Sequence, residues 1–206
     1  MTPQNLLLFP LTAPKLSIGC PILDACLGSG IPYNTITELV GESSSGKTQL
    51  CLQLTVQAQL PHGHGGLGGS SLYIYTEFSF SFRRLQQLAK VYQASHPNLI
   101  GVNPLEDIYV HVVDDAQQLI HVLENMETCK LKALANKFGV AMLLTNQIVD
   151  FIGPDDGING VRLGNLECLH TSGRRVSPAL GLAWAHCVNS RVFLSTHEHF
   201  VGGEHS

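Results

Sequence analysis

Residues 41–48 read Gly-Glu-Ser-Ser-Ser-Gly-Lys-Thr, and no other stretch constrains the fold of this chain as tightly. The spacing is that of a phosphate-binding loop, G-x-x-x-x-G-K-[ST]. Gly41 and Gly46 permit a tight backbone path whose N–H groups converge on phosphate oxygens, and a helix that follows adds its positive end. Between them Glu42, Ser43, Ser44 and Ser45 line the loop, Lys47 reaches the β- and γ-phosphates, and the Thr48 hydroxyl holds Mg²⁺. The flanks fit: Ile36-Thr37-Glu38-Leu39-Val40 has strand character, and Gln49 to Ala58 spaces its apolar groups as a helix does. The alternative, a Gly/Ser turn that happens to carry Lys-Thr, does not explain strand, loop and helix in that order.

Composition narrows the architecture. Of 206 residues, 44% are hydrophobic and 14% charged, against roughly a quarter charged in an ordinary domain. One domain with a large core is expected, as in a mostly parallel α/β sheet covered on both faces. The net charge of −4 gives no whole-chain attraction for nucleic acid or membrane, so any DNA contact has to be local. No apolar run reaches the roughly 18 residues of a membrane span, and Met1–Pro14 lacks a basic signal-peptide start. An intracellular protein with no membrane partner is expected. The 6 cysteines show no Cys-x-x-Cys pair, which favours reduced thiols. His62-Gly63-His64 and His197-Glu198-His199 lack further ligands at metal-binding spacing.

Helical and strand patterns alternate, as parallel sheets with crossover helices require. A short strand or turn at Leu16 leads to a helix that stops at Gly28-Ser29-Gly30. Pro61–Ser71 reads as a mobile Gly-rich loop, Leu72–Thr76 as a buried strand ending at Glu77, Phe82–Tyr92 as a helix and Ile108–Val113 as a strand. A helix from Asp114 to about Glu127, another over Cys129–Phe138 and a strand over Val140–Thr145 follow, ending at Asn146-Gln147. Asp150–Arg175 reads as a long polar loop, and Ala179–Leu194 supplies a further strand or two.

Leu16 to Asp24, Ile36 to Leu39, the loop through Gln49-Leu50, Tyr73 to Glu77 with Arg84 to Leu88, and Arg175 to Ala185 together resemble the RecA-type recombinase core of the eukaryotic strand-exchange protein and its paralogues. The resemblance runs over about residues 12–195. It implies ATP and Mg²⁺ as cofactors, with Gly41, Glu42, Ser43, Ser44, Ser45, Gly46, Lys47, Thr48 and Gln49 on the phosphates and Arg84 against the adenine. It also implies that Glu77 orients the attacking water and that the Asn146-Gln147 pair senses the γ-phosphate and signals to the loop that follows, which suits a reaction governed by positioning and charge neutralisation. A strand-end acid and a solvated helix arginine are the plainer readings of Glu77 and Arg84. The loop after Gln147 corresponds to a DNA-binding loop, where Arg162, Arg174 and Arg175 are candidates for backbone phosphates, offset by Asp150, Asp155, Asp156 and Glu167. His186 matches a histidine that faces the neighbouring subunit.

One departure is as informative as the match. Family members place an aliphatic strand ending in Asp-Ser, whose Asp positions the Mg²⁺-bound water, where this chain has only Met126-Glu127-Thr128-Cys129-Lys130. One central strand is therefore expected to be missing, opening a gap of about 4.8 Å in the ladder. Tyr109 to Asp115 has a similar hydrophobic-then-acid form, but its place in the order is that of the preceding strand. The family's N-terminal helical module and last strands are also expected to be absent. The implied protein is a nuclear, ATP-binding recombination-repair paralogue acting on single-stranded or branched DNA. Its implied partners are a second paralogue in a heteromeric complex and the strand-exchange recombinase. A nucleotide-binding interaction module without turnover is the alternative; an unrelated small-molecule kinase lacks lid arginines.

Overall fold

The computed structural model describes residues 15–76, 80–99, 103–113, 135, 139–150, 169–180, 184–186 and 188–195. Two compact units are formed, one within residues 1–36 and 49–142 and the other within 37–48 and 143–206.

In the first unit, β1 (Lys15–Leu16) and β2 (Ile31–Pro32) pair antiparallel on either side of α1 (Pro21–Cys26). Asp24 fastens the turn before α1: its carboxylate accepts from Ser17 Oγ at 2.6 Å and from Ile18 N at 2.7 Å. Polar residues stand in this apolar stretch because the turn's backbone donors need partners. The core is made by α2 (Lys47–Gln57, in this unit from Gln49), β4 (Ser71–Tyr75), α3 (Phe82–Ser95) and β5 (Ile108–Val112). Leu52, Val56, Leu85 and Ile108 are buried together, with Tyr73, Phe80, Leu88, Tyr92 and Leu105 packed on them. Along α3, Leu85, Leu88, Ala89 and Tyr92 recur at helical spacing and turn one face inward, whereas Phe82 and Val91 stay exposed. Fully burying each of the larger aliphatic groups contributes about 1.5–3 kcal/mol.

β4 and β5 run parallel, from Ser71 opposite Ile108 to Tyr75 opposite Val112. The expectation of a buried strand here needs correcting: Leu72 is 63% exposed, and Tyr109, Val110 and Val112 of β5 are exposed too. A two-stranded ladder packed on one side leaves its other side chains uncovered among the described residues. The Gly-rich segment also differs from expectation. It carries a 3₁₀ turn at His62–His64, and Leu67 N and Gly68 N donate to Ala58 O and Leu60 O at 2.9 and 2.8 Å, while Ser17 N donates to Gly65 O at 2.8 Å. It is a folded turn closing the C-terminal end of α2.

In the second unit, β3 (Ile36–Gly41) lies between β10 (Ser190–Leu194) and β6 (Met142–Asn146). β10 is parallel to it, from Ser190 opposite Thr37 to Leu194 opposite Gly41, and every residue of β3 is buried. Part of the expected loop of residues 150–175 is sheet instead. β7 (Ile148–Asp150), β9 (Arg174–Pro178) and β8 (Leu169–Thr171) form an antiparallel sheet in that order. Its turn is Ser172-Gly173, with φ of 47° and 73°, the paired positive φ of a two-residue hairpin turn.

β6 pairs with β3 and β4 pairs with β5, and among the described residues no strand pairs with the other side of β6 or of β4. Tyr109 to Val112 belongs to the strand beside β4, as its place in the order requires. The helices expected from Asp114 and over Cys129–Phe138, apart from helical Ala135, lie outside the described residues, as do Glu77, Arg162 and His197–His199.

Candidate nucleotide-binding site

The phosphate loop leaves the C-terminal end of β3 and enters α2, the order anticipated from the octapeptide. Both glycines are required by the geometry. A Cβ on Gly41 would lie 2.6 Å from Leu194 O and from Ser45 Oγ, and Gly46 turns the chain at φ +96° with open space on its Cβ side. Ser44 also has a positive φ, 65°, an unusual state for a side-chain-bearing residue that costs about 1–3 kcal/mol and collects at ligand-binding loops.

Lys47 is 8% exposed, and its ammonium donates to Gly41 O at 2.8 Å, Glu42 O at 2.7 Å and Gln147 Oε1 at 3.3 Å. A cation is thus held over the loop, against the residue expected to sense phosphate. Thr48 and Gln49 are exposed in the first turn of α2. Ser45 Oγ is buried with no hydrogen-bond partner, a hydroxyl left within the loop. A tightly turned glycine loop, a positioned lysine, an unpartnered serine hydroxyl and an exposed threonine fit a magnesium-bound polyphosphate.

Glu42 points to the β8–β9 hairpin. Its Oε1 accepts from Arg174 Nη2 at 2.7 Å and its Oε2 from Ser172 Oγ at 3.0 Å, while Arg174 Nη1 reaches Asp150 Oδ1 at 2.9 Å. Arg174 and then Ser172 hold the Glu42 carboxyl below the usual carboxylate range, and Glu42 holds the Arg174 guanidinium above its usual value. Arg174, a candidate for DNA phosphates, is therefore committed to two carboxylates here. Arg175 is exposed on β9 opposite His170. In the other unit, Arg84 Nε donates to Gln49 Oε1 at 2.8 Å, which brings those two expected ATP residues together, and Arg84 Nη1 donates to Gln87 Oε1 at 3.3 Å.

A buried carboxylate network went unrecognised in the sequence. Glu38, in the middle of β3, is 0% exposed. Its Oε1 accepts from Asn146 Nδ2 at 2.8 Å and Trp184 Nε1 at 3.0 Å, and its Oε2 from Arg191 Nε at 2.6 Å. Asn146, next to Gln147 in the chain, is thereby anchored to β3. The signal was present: an acid inside the apolar run Ile36 to Val40 cannot be buried unless it is paired. His186 is exposed.

The Rad51 family matches residues 12–128 of this chain. The chain is 40% identical over 241 residues to the DNA repair protein XRCC3 homolog of Arabidopsis thaliana, covering 94% of this chain and 79% of that protein. It is 29% identical over 236 residues to DNA repair protein XRCC3 of Mus musculus, covering 92% of this chain and 66% of that protein. It is 34% identical over 206 residues to the DNA repair and recombination protein RadA of Aeropyrum pernix, covering 79% of this chain and 62% of that protein. Since 94% of 206 residues is about 194, about 47 of the 241 positions aligned with the plant relative face a gap in this chain. The family match also stops at residue 128, inside the Met126–Lys130 segment where a strand was expected to be lost. With an α/β core, parallel pairing and a phosphate loop between β3 and α2, the chain belongs to the Rad51 family of RecA-like proteins.

Proposed function

We propose that this chain is an ATP-binding member of the homologous-recombination repair machinery that works in the nucleus through a recombinase-family partner and DNA. The relatives named for DNA repair and recombination support the pathway. The observation that carries the nucleotide reading is the position of Lys47 Nζ over the carbonyls of Gly41 and Glu42 and beside Gln147 Oε1. Backbone N–H groups of Gly41 to Thr48 and the Lys47 ammonium would hold the phosphates, and the Thr48 hydroxyl the Mg²⁺. The bound metal supplies charge neutralisation at the phosphates. Lys47 and Gln147 bind and orient, and Glu38 fixes Asn146, the residue before Gln147.

The departure at Met126–Lys130 favours one refinement: the chain holds nucleotide and turns it over poorly, serving mainly as a nucleotide-dependent partner. The strand missing there is the one that carries the metal-positioning acid in the resemblance. Equilibrium titration with Mg²⁺-ATP, followed by steady-state phosphate release with and without single-stranded DNA, tests both parts. No saturable ATP binding would overturn the first, and DNA-stimulated turnover the second.

A further inference from the structure

We propose that Arg174 serves the nucleotide site, neutralising the single acidic side chain of the phosphate loop, Glu42, and tying the loop to the β8–β9 hairpin. This rests on the nucleotide-binding reading above. Within Gly41–Thr48 only Glu42 is acidic, and a polyphosphate entering this loop meets its carboxylate unless a cation cancels it. Both carboxylate oxygens are engaged, by Arg174 Nη2 at 2.7 Å and by Ser172 Oγ at 3.0 Å. The hairpin is shaped for the task. Ser172 and Gly173 both adopt positive φ, and this turn sets Ser172 and Arg174 on the same carboxylate from positions two apart. Asp150 of β7 holds the second guanidinium nitrogen at 2.9 Å, which keeps Arg174 on this side of the sheet. A DNA phosphate would have to displace two carboxylates to use the same group. Protonation does not relieve the loop at neutral pH: a glutamate is ionised there in any case, and Arg174 and Ser172 lower the Glu42 carboxyl further. The guanidinium is what removes the charge.

The test is a coupling measurement on the full chain, purified with whatever partner keeps it soluble, by titrating a fluorescent non-hydrolysable ATP analogue. Arg174→Ala is expected to weaken binding by about two- to fivefold, the scale of an exposed ion pair. Adding Glu42→Gln to Arg174→Ala is expected to restore affinity, since removing the carboxylate removes the need for the cation. Unchanged affinity in Arg174→Ala, or a double variant as weak as the single one, overturns the proposal. So does a loss of single-stranded DNA binding with nucleotide affinity intact, which would assign Arg174 to DNA. Where Arg174→Ala does not fold, Arg174→Gln with and without Glu42→Gln reads the same coupling. Lys47→Ala separates the two levels. If it leaves affinity intact, the nucleotide reading itself fails; if it abolishes binding while the Arg174 pair shows no coupling, only the present proposal falls.

Discussion

Gln147 Oε1 accepts a hydrogen bond from Lys47 Nζ at 3.3 Å, joining residues 100 positions apart in the chain. The contact is at the long end of hydrogen-bond distances, whereas the two loop carbonyls hold the same ammonium at 2.7 and 2.8 Å. Lys47 is thus held mainly by its own loop, and Gln147 is its weaker partner. That order of strengths suits the phosphate-sensing role proposed for Gln147.

Lys47→Ala is expected to weaken ATP binding at least tenfold, since a charge-assisted phosphate contact contributes about 1.5–3 kcal/mol. Isothermal titration with Mg²⁺-ATP checks it. An unchanged dissociation constant would remove the phosphate-loop assignment.

Turnover is expected near background, because Met126-Glu127-Thr128-Cys129-Lys130 stands where the family resemblance places an acid-ended strand. Steady-state phosphate release with single-stranded DNA measures it. A clear rate that disappears on Glu77→Gln would mean that the site works despite that departure.

Glu38→Ala is expected to destabilise the protein by about 2–4 kcal/mol, since it strips a buried carboxylate from three donors. This is less than for a fully enclosed ion pair, because the Arg191 side chain keeps 23% of its surface in water. Glu38→Gln, which retains acceptor capacity, is expected to lose less. Denaturant midpoints of both variants decide it, and a shift below about 0.5 kcal/mol for Glu38→Ala would show the network to be neutral.

Acid should release the hairpin from the phosphate loop. The Glu42 carboxyl lies below its usual range in the folded chain, chiefly through Arg174. The pair's contribution is therefore complete above the unfolded carboxylate value and is lost as pH falls through the lower folded one. A carboxyl NMR titration of Glu42 follows this directly. A midpoint at or above that of an unstructured glutamate would contradict the pairing.

Restoring a strand of three aliphatic residues followed by Asp-Ser after Glu127 is expected to raise soluble yield, because unpaired strand edges template aggregation. Leu72, Tyr109, Val110 and Val112 are exposed on β4 and β5, which adds to that liability. The unaltered chain, expressed alone, is expected to aggregate or to be recovered with a recombinase-family partner. Sedimentation showing a monodisperse, cooperatively melting monomer would mean that another segment already repairs the ladder.

What the sequence determined by itself was local. The octapeptide and its flanks announce strand, loop and helix because glycine tolerance, helix N-terminal charge and apolar period act over a few residues. The departure at Met126–Lys130 was also visible, because an absent motif shows against the order of the others. Tertiary structure alone decided the rest. Arg174 reads as a basic loop residue until the Ser172-Gly173 turn brings it 2.7 Å from Glu42, 132 positions away. Glu38 reads as one acid in an apolar strand until Asn146, Trp184 and Arg191 converge on it from 108, 146 and 153 positions away. Leu72 reads as core until a two-stranded ladder leaves it uncovered. Partners for a buried charge, and cover for an apolar face, come from remote segments, and no local pattern encodes which ones arrive.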